Sequence, residues 1–297
     1  MRHIEPLLPY TRTIRAGTET DVVDWVAGRS ILAFGVRIGI RTNQPEILDR
    51  LSEYFPPLWK PTPVSHVERL FSLKIAGAGL AGNRLGFHEL FEDLEPGTRS
   101  RSLNTVLEAF ESRVKMYVAE MAPRRVFVHA GAVGWRGQAI IIPGRSMSGK
   151  TSLVTELVRA GATYYSDEYA VLDLRGRIHP YPQPLAIRDQ FSFKQRKCRV
   201  EEIGGVTGRK PLPVGLVVVS KYKSGVRWSP RQLSGGRGVL ELLANTVPAR
   251  RNPDIVMTTL QEAVSEAKVV KGARGEAAET AAMILKQYGE REGQAKA

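Results

Sequence analysis

Residues 144–151 constrain this chain more than any other stretch. They read Gly144, Arg145, Ser146, Met147, Ser148, Gly149, Lys150, Thr151, a full match to G-x-x-x-x-G-K-[ST]. The pattern alone arises by chance in roughly one per cent of chains of this length. Its setting makes chance a poor explanation. An apolar strand pattern, Ile140 to Ile142, precedes it, and Leu153, Leu157 and Val158 follow at helical spacing. Strand, loop and helix in that order are what binding a phosphate group needs. A helix N-terminus carries unpaired N–H groups and partial positive charge, and glycines let successive amides converge on one anion. Lys150 adds a full charge able to reach the outer phosphates, and the Thr151 hydroxyl is placed for Mg²⁺. Residues 144–152, ending at Ser152, are therefore the candidate nucleotide-binding segment.

Seventeen residues beyond the lysine stand two acids, Asp167 and Glu168, at the end of TYYSDE. If the helix packs back on the sheet, the strand at 163–165 runs beside the phosphate-loop strand and brings the acids near the γ-phosphate. Adjacent residues on an extended chain point to opposite sides, so the two acids are expected to do different jobs. One holds Mg²⁺ and the other accepts a proton from an attacking hydroxyl. His129, in FVHAGAV, ends an apolar strand one hairpin before the loop and is a candidate for the same pocket.

The rest of the chain reads as two parts. Residues 30–42 read as a strand, 44–55 as a helix, 67–77 as a strand, and 77–101 as loops with short elements. Residues 103–121 form a long amphipathic helix with Val106, Phe110, Val114 and Val118 on one stripe. Pro123 ends it, and the boundary is placed there: a small α+β N-terminal domain over 1–122, a candidate for substrate recognition, and a catalytic domain over 123–297. In the second part, 124–135 and 138–144 are β-rich around a turn at Arg136 and Gly137. A helix over 149–160 stops at Gly161, and 163–188 gives short strands. LPVGLVVVS reads as a central strand, and helices are expected at 238–245, 254–267 and 275–290.

Composition bounds the setting. The 297 residues are 42% hydrophobic and 25% charged, as in globular domains, and one cysteine, Cys198, excludes an internal disulfide and a cysteine metal cage. No apolar run has the length of a membrane helix, and the first residues lack the pattern of a signal peptide. A reducing, cytoplasmic location with no membrane is the expectation. The net charge of +13 attracts polyanions. Residues 194–237 hold eleven Lys/Arg against two acids, Glu201 and Glu202. That stretch reads either as a solvated surface or as one facing phosphate or an acidic partner.

His129 in VHAGAV, the loop GRSMSGKT, the helix ending RAGA and the acids of SDE, in this order, resemble the catalytic domain of HPr kinase/phosphorylase. The resemblance covers about residues 125 to 190. It implies an α/β fold: an HPr kinase C-terminal-like P-loop kinase domain with a mixed sheet, related to phosphoenolpyruvate carboxykinase. It also implies Mg²⁺ and ATP as cofactors and transfer of the γ-phosphoryl group to a hydroxyl, typically a serine of a peptide or protein. By the same analogy Asp167 is the base and Glu168, with Thr151, holds the metal. His129 and Lys150 belong to the catalytic set, and homo-oligomers are plausible. For a kinase, Arg188 or the basic stretch after Lys194 is the candidate to neutralise charge on the transferred group or to grip an acidic acceptor. The chain departs from the family pattern at Met147, where glycine is usual, and at Glu168, where a second aspartate is usual. It also reads Ala186-Ile187-Arg188-Asp189 where the family has Glu-Ile-Arg-Gly. The last change argues against the phosphorylase half and against HPr as acceptor; tailoring of a ribosomal peptide is compatible.

Two other readings stand beside the kinase. A P-loop ATPase or switch without an acceptor is the alternative, but LVVVS ends in Ser220 where the common ATPase plan places an aspartate. A nucleic-acid binder is the third and weakest, since only Tyr222 and Trp228 interleave with the basic stretch and no such motif is visible.

Overall fold

The computed structural model describes residues 15–16, 21–22, 25–63, 66–77, 86–93, 95–144, 148–188 and 195–289. The chain divides into two compact units, Met1–Pro123 and Arg124–Ala297. Both mix helices with sheet. Among the described residues no helix is long and apolar enough to cross a membrane.

In the first unit β1 (Arg15–Ala16) pairs with β2 (Asp21–Val22). A six-stranded sheet holds β3 (Ala27–Ala33), β4 (Val36–Thr42), β5 (Lys60–Pro61), β6 (Arg69–Lys74), β7 (His88–Glu92) and β8 (Glu95–Ser100), in the order β5-β3-β4-β6-β7-β8. Residues 30–42, expected as one strand, are a hairpin. Phe34 and Gly35 both take positive φ, 49° and 89°, the two-residue turn that matches the twist of the strands it joins. The helical stretch after residue 44 is α1 (Ile47–Leu51) and a short 3₁₀ turn. The long helix is α2 (Leu103–Met121), opened by the Ser102 hydroxyl accepting from the Thr105 amide. Its stripe of Val106, Phe110, Val114 and Val118 is fully buried, and Phe110 meets Phe71 and Phe55 edge-on at 5.6 and 6.1 Å.

The second unit is a mixed sheet between two helical layers. Its strands are β9 (Arg125–Trp135), β10 (Gln138–Pro143), β11 (Thr163–Ser166), β12 (Tyr169–Asp173), β13 (Ile178–His179), β16 (Val214–Tyr222), β17 (Arg231–Leu233) and β18 (Lys268–Arg274). The order is β13-β12-β9-β10-β16-β18-β17, with β11 also on β9; β10, β16 and β18 are parallel neighbours. A separate hairpin joins β14 (Leu185–Arg188) to β15 (Gln195–Cys198). The helices are α3 (Lys150–Arg159), α4 (Gly235–Leu243), α5 (Pro253–Val264) and α6 (Ala277–Gly289).

Alternation along β10 assigns the faces. Ala139 and Ile141 join the apolar cluster that includes α4 and α5, while Ile140 and Ile142 join the cluster that includes α3 and α6. A strand buried on both faces reads as an unbroken apolar run, which is why AIII and GLVVV looked continuous in sequence. β16 lies mid-sheet, as its sequence led one to expect. The strand 163–166 does not run beside the phosphate-loop strand: β11 pairs with β9, because β9 and β16 already occupy both edges of β10. Residues 268–274, which sequence reading left between two helices, form β18.

Leu157 is fully buried on α3, in the cluster that seats this helix against the sheet. Leu157→Ala is expected to cost about 2–5 kcal/mol in urea unfolding.

Candidate active site

β10 ends at Pro143 and α3 begins at Lys150, so the motif lies at the C-terminal edge of the sheet, as the strand–loop–helix pattern requires. Arg145, Ser146 and Met147 lie outside the described residues. The Gly144 amide donates to the His129 carbonyl at 3.2 Å, which ties the start of the loop to the neighbouring strand. Gly149 caps α3 with φ 83° and ψ 18°, a left-handed conformation that glycine takes without strain. It offers no side chain to the first turn of α3, so the amides of Lys150, Thr151 and Ser152 depend on an outside acceptor. The Ser148 hydroxyl is buried with no partner among the described residues.

Lys150 is buried, and its Nζ donates to the Gly144 carbonyl at 2.5 Å. Burial pulls its pKa down to about 8, while the charges of Asp167 and Glu168 hold it up against that pull. The lysine and both acids thus share one electrostatic neighbourhood, although seventeen residues separate them.

The acids sit at the kink between β11 and β12, which follow one another along one edge of β9. The Ser166 hydroxyl accepts from the amides of Glu168 and Tyr169 at 3.1 and 3.0 Å and holds the kink closed. The Glu168 carbonyl accepts from the Ala130 amide at 3.2 Å. Asp167 is buried, and burial raises its pKa; hydrogen bonds from the Tyr164 and Thr151 hydroxyls and the Ala186 amide oppose that rise. Tyr164 Oη stands 3.1 Å from Asp167 Oδ1 and 2.8 Å from the Gln183 carbonyl. Glu168 is half-buried. The bond between Thr151 and Asp167 joins the end of the motif to the first acid.

His129 lies half-buried on β9 opposite Tyr169, their rings 5.7 Å apart. Its amide donates to the Asn245 carbonyl at 2.7 Å, so the segment after α4 borders the site. Burial, and then the charge of Lys150, hold its pKa down at about 4. The imidazole is neutral at ordinary pH. Tyr169, Tyr181 and Phe127 form edge-to-face contacts of 5.6 to 5.9 Å beside it.

Gly144, Ser148, Gly149, Lys150, Thr151 and Ser152 cluster at the start of α3, with His129, Asp167 and Glu168 around Lys150. Arg188 has its backbone in β14, and its side chain lies outside the described residues. Lys194 and Asp189 lie outside them too. The other ten Lys/Arg of 194–237 are all exposed, on several different elements. Trp228 is buried in the core, which removes one of the two aromatics a nucleic-acid surface would have used.

Sequence reading missed Arg274, at the end of β18. Its Nη2 donates to the Gly149 carbonyl at 2.8 Å. Tyr164 and Asn245 were missed too, because each contributes through a single hydrogen bond that leaves no spacing pattern.

No family model and no curated protein matches the chain. Among solved structures the chain is similar to the Hpr(Ser) kinase/phosphatase from Coxiella burnetii, at 11% identity and a TM-score of 0.33, over 57% of this chain and 94% of that one. The likeness is a weak structural resemblance, and the functional reading rests on the residues described above.

The folded chain refuses a proton at His129 until about pH 4, whereas the unfolded chain binds it near the ordinary value of 6.5. Stability therefore falls as pH drops through that window. Thermal unfolding across the window is expected to show this slope, flattened in His129→Asn.

Proposed function

We propose that this chain is a Mg²⁺- and ATP-dependent phosphotransferase that delivers the γ-phosphoryl group to a hydroxyl, with a serine of a peptide or protein as the favoured acceptor. The observation that carries the proposal is the gathering of Lys150, Thr151, Asp167 and Glu168 at the start of α3. Phosphoryl transfer asks a protein mainly for positioning and charge neutralisation. First-turn amides, for which a helix provides no acceptor of its own, and a buried ammonium supply both to a triphosphate. The Ser148 hydroxyl, buried with no partner among the described residues, adds a donor at the same place.

The residues present fit the metal. Among the described residues no three His, Cys, Asp or Glu side chains converge into a metal cage. Mg²⁺ does not need one: it takes one or two carboxylates and completes its shell with water and phosphate oxygens. The Thr151 hydroxyl and a carboxylate are hard oxygen donors of that kind. When bound, the ion neutralises charge on the phosphates.

Geometry favours roles opposite to those the family resemblance implies. Asp167 is the acid bonded to Thr151, the hydroxyl that this motif dedicates to the metal, so Asp167 belongs on the metal side. Glu168 is the more accessible acid and is left to accept the proton of the incoming hydroxyl. His129, neutral and beside Lys150, borders the transferred group without adding charge. The first unit and the exposed basic residues of 194–237 are the surfaces available to an acidic acceptor. An acceptor-free ATPase has less support, because β16, next to the phosphate-loop strand, runs through Val219, Ser220 and Lys221 with no acid.

The test is incubation with γ-labelled ATP, Mg²⁺ and candidate serine peptides, with label read in acceptor and in free phosphate. Transfer to a hydroxyl is expected. Glu168→Gln is expected to slow it by about 10²–10⁴-fold with nucleotide affinity retained, and Asp167→Asn to raise the Mg²⁺ requirement. Phosphate release that no hydroxyl compound diverts overturns the transferase reading. Nucleotide affinity is also expected to fall as pH rises through about 8, where the ligand-free Lys150 loses its proton.

A further inference from the structure

We propose that Arg274 is a positioning residue that sets the Gly149–Lys150 peptide, so that the Lys150 amide faces the bound phosphate. The proposal rests on the reading of α3 as a phosphate site. Arg274 stands 125 positions from Gly149 in sequence, yet its guanidinium is buried against the motif. Nη2 donates to the Gly149 carbonyl at 2.8 Å and Nη1 to the Gly275 carbonyl at 3.0 Å.

The Gly149 carbonyl also accepts from the Leu153 amide at 3.2 Å, the first bond of α3. Two donors at one oxygen fix its direction. A peptide unit is planar and trans, so fixing the carbonyl on one side fixes the N–H of Lys150 on the other. That N–H belongs to the first turn of α3, where a helix provides no acceptor of its own. A charged donor at the carbonyl also polarises the peptide and strengthens the amide opposite. Arg274 therefore acts on the phosphate through a peptide plane and never touches it.

The surroundings suit this task. In parallel pairing Tyr222, the last residue of β16, is the register partner of Arg274, and its ring centroid lies 5.5 Å from the guanidinium carbon. The Tyr222 hydroxyl donates to Glu276 at 2.9 Å, and Glu276 supplies an opposite charge that offsets part of the cost of burying the Arg274 guanidinium. Space at Gly149 is reserved for the arginine: a Cβ there would lie 2.3 Å from Nη2. The second motif glycine thus answers to two demands, its left-handed backbone and the seat of Arg274. Gly275 is constrained as well, since a Cβ there would lie 2.1 Å from the Val226 carbonyl. Lysine cannot replace the guanidinium, because one ammonium cannot reach two carbonyls with the fork geometry of arginine.

The test uses the full chain with Mg²⁺ and fluorescent ADP and ATP analogues, in the wild type, Arg274→Lys, Arg274→Ala and Lys150→Met. Arg274→Ala is expected to weaken ADP and ATP alike by about tenfold or more. Ethylguanidinium, added well below denaturing levels, is expected to restore binding. In turnover the loss is expected in KM with kcat nearly kept. The Lys150 amide resonance of ligand-free protein is expected to move in both Arg274 variants, and Arg274→Lys carries the test if Arg274→Ala does not fold. Wild-type affinity in Arg274→Lys with an unmoved Lys150 amide overturns the proposal. So does ethylguanidinium that recovers thermal stability but not binding. Failure of the phosphate-site reading looks different: the wild type binds neither analogue, or Lys150→Met binds as tightly as wild type, while the amide shift still reports on Arg274.

Discussion

A buried ammonium is the constraint on which the second unit is built. Lys150 cannot be left alone in a half-dry setting, where an unpaired charge is costly. It is met by the Gly144 carbonyl at 2.5 Å and by the charges of Asp167 and Glu168. Each partner comes from a different place: Gly144 from the end of β10, the acids from the kink between β11 and β12. To bring them together the chain must run β9 and β10 as a hairpin, send α3 across one face and return along the far edge of β9. His129 answers to the same setting: burial lowers its pKa first, and the charge of Lys150 lowers it further, so no second cation forms beside the lysine.

The sheet supplies rigidity where the chemistry needs it. The kink at Asp167 and Glu168 is closed by the Ser166 hydroxyl and by the bond from Ala130 to Glu168. The loop is held at its first glycine by His129 and at its second by Arg274. These two anchors lie on β9 and β18, on either side of β10 and β16. Thus the order β9-β10-β16-β18 bears on the site: β9 supplies the His129 carbonyl, β10 leads into Gly144, β18 ends in Arg274, and β16 sets Tyr222 beside that arginine.

Those parts of the fold and of the site that consist of a run of residues with a local meaning were legible in sequence. The motif, the paired acids and α2 all carry their signal within a few turns or strands. The parts made by chain crossings were not. β18 reads KVVKGAR, with lysines at both ends of its apolar core and glycine inside, so it lacked the unbroken apolar run that marked β16. Arg274 then looked like one more cation in a chain of net charge +13. Only the parallel pairing of Tyr222 with Arg274 shows that this cation is buried beside the motif. The turn at Phe34–Gly35 was hidden for another reason: a phenylalanine at positive φ is uncommon, so the apolar pattern read straight through it. What distinguishes the two acids was equally beyond sequence, since the deeper burial of Asp167 and its bonds from Tyr164, Thr151 and Ala186 come from the fold.

Tyr164 shows how charge at the site reaches the β14–β15 hairpin. A phenol has one proton to donate, yet Tyr164 Oη lies within hydrogen-bond distance of two acceptors, Asp167 Oδ1 and the Gln183 carbonyl. While Asp167 is ionised the carboxylate competes for that proton, because a charged acceptor makes the stronger bond. A protonated Asp167 is a weaker acceptor, which shifts the balance toward the Gln183 carbonyl. The Ala186 amide, which also bonds Asp167, stands at the start of the same hairpin. Two backbone groups that open this hairpin are therefore bound to a single carboxylate, one directly and one through a tyrosine. The charge on Asp167 thus bears directly on the bonds at the base of the hairpin, whose second strand carries the exposed Arg196 and Lys197.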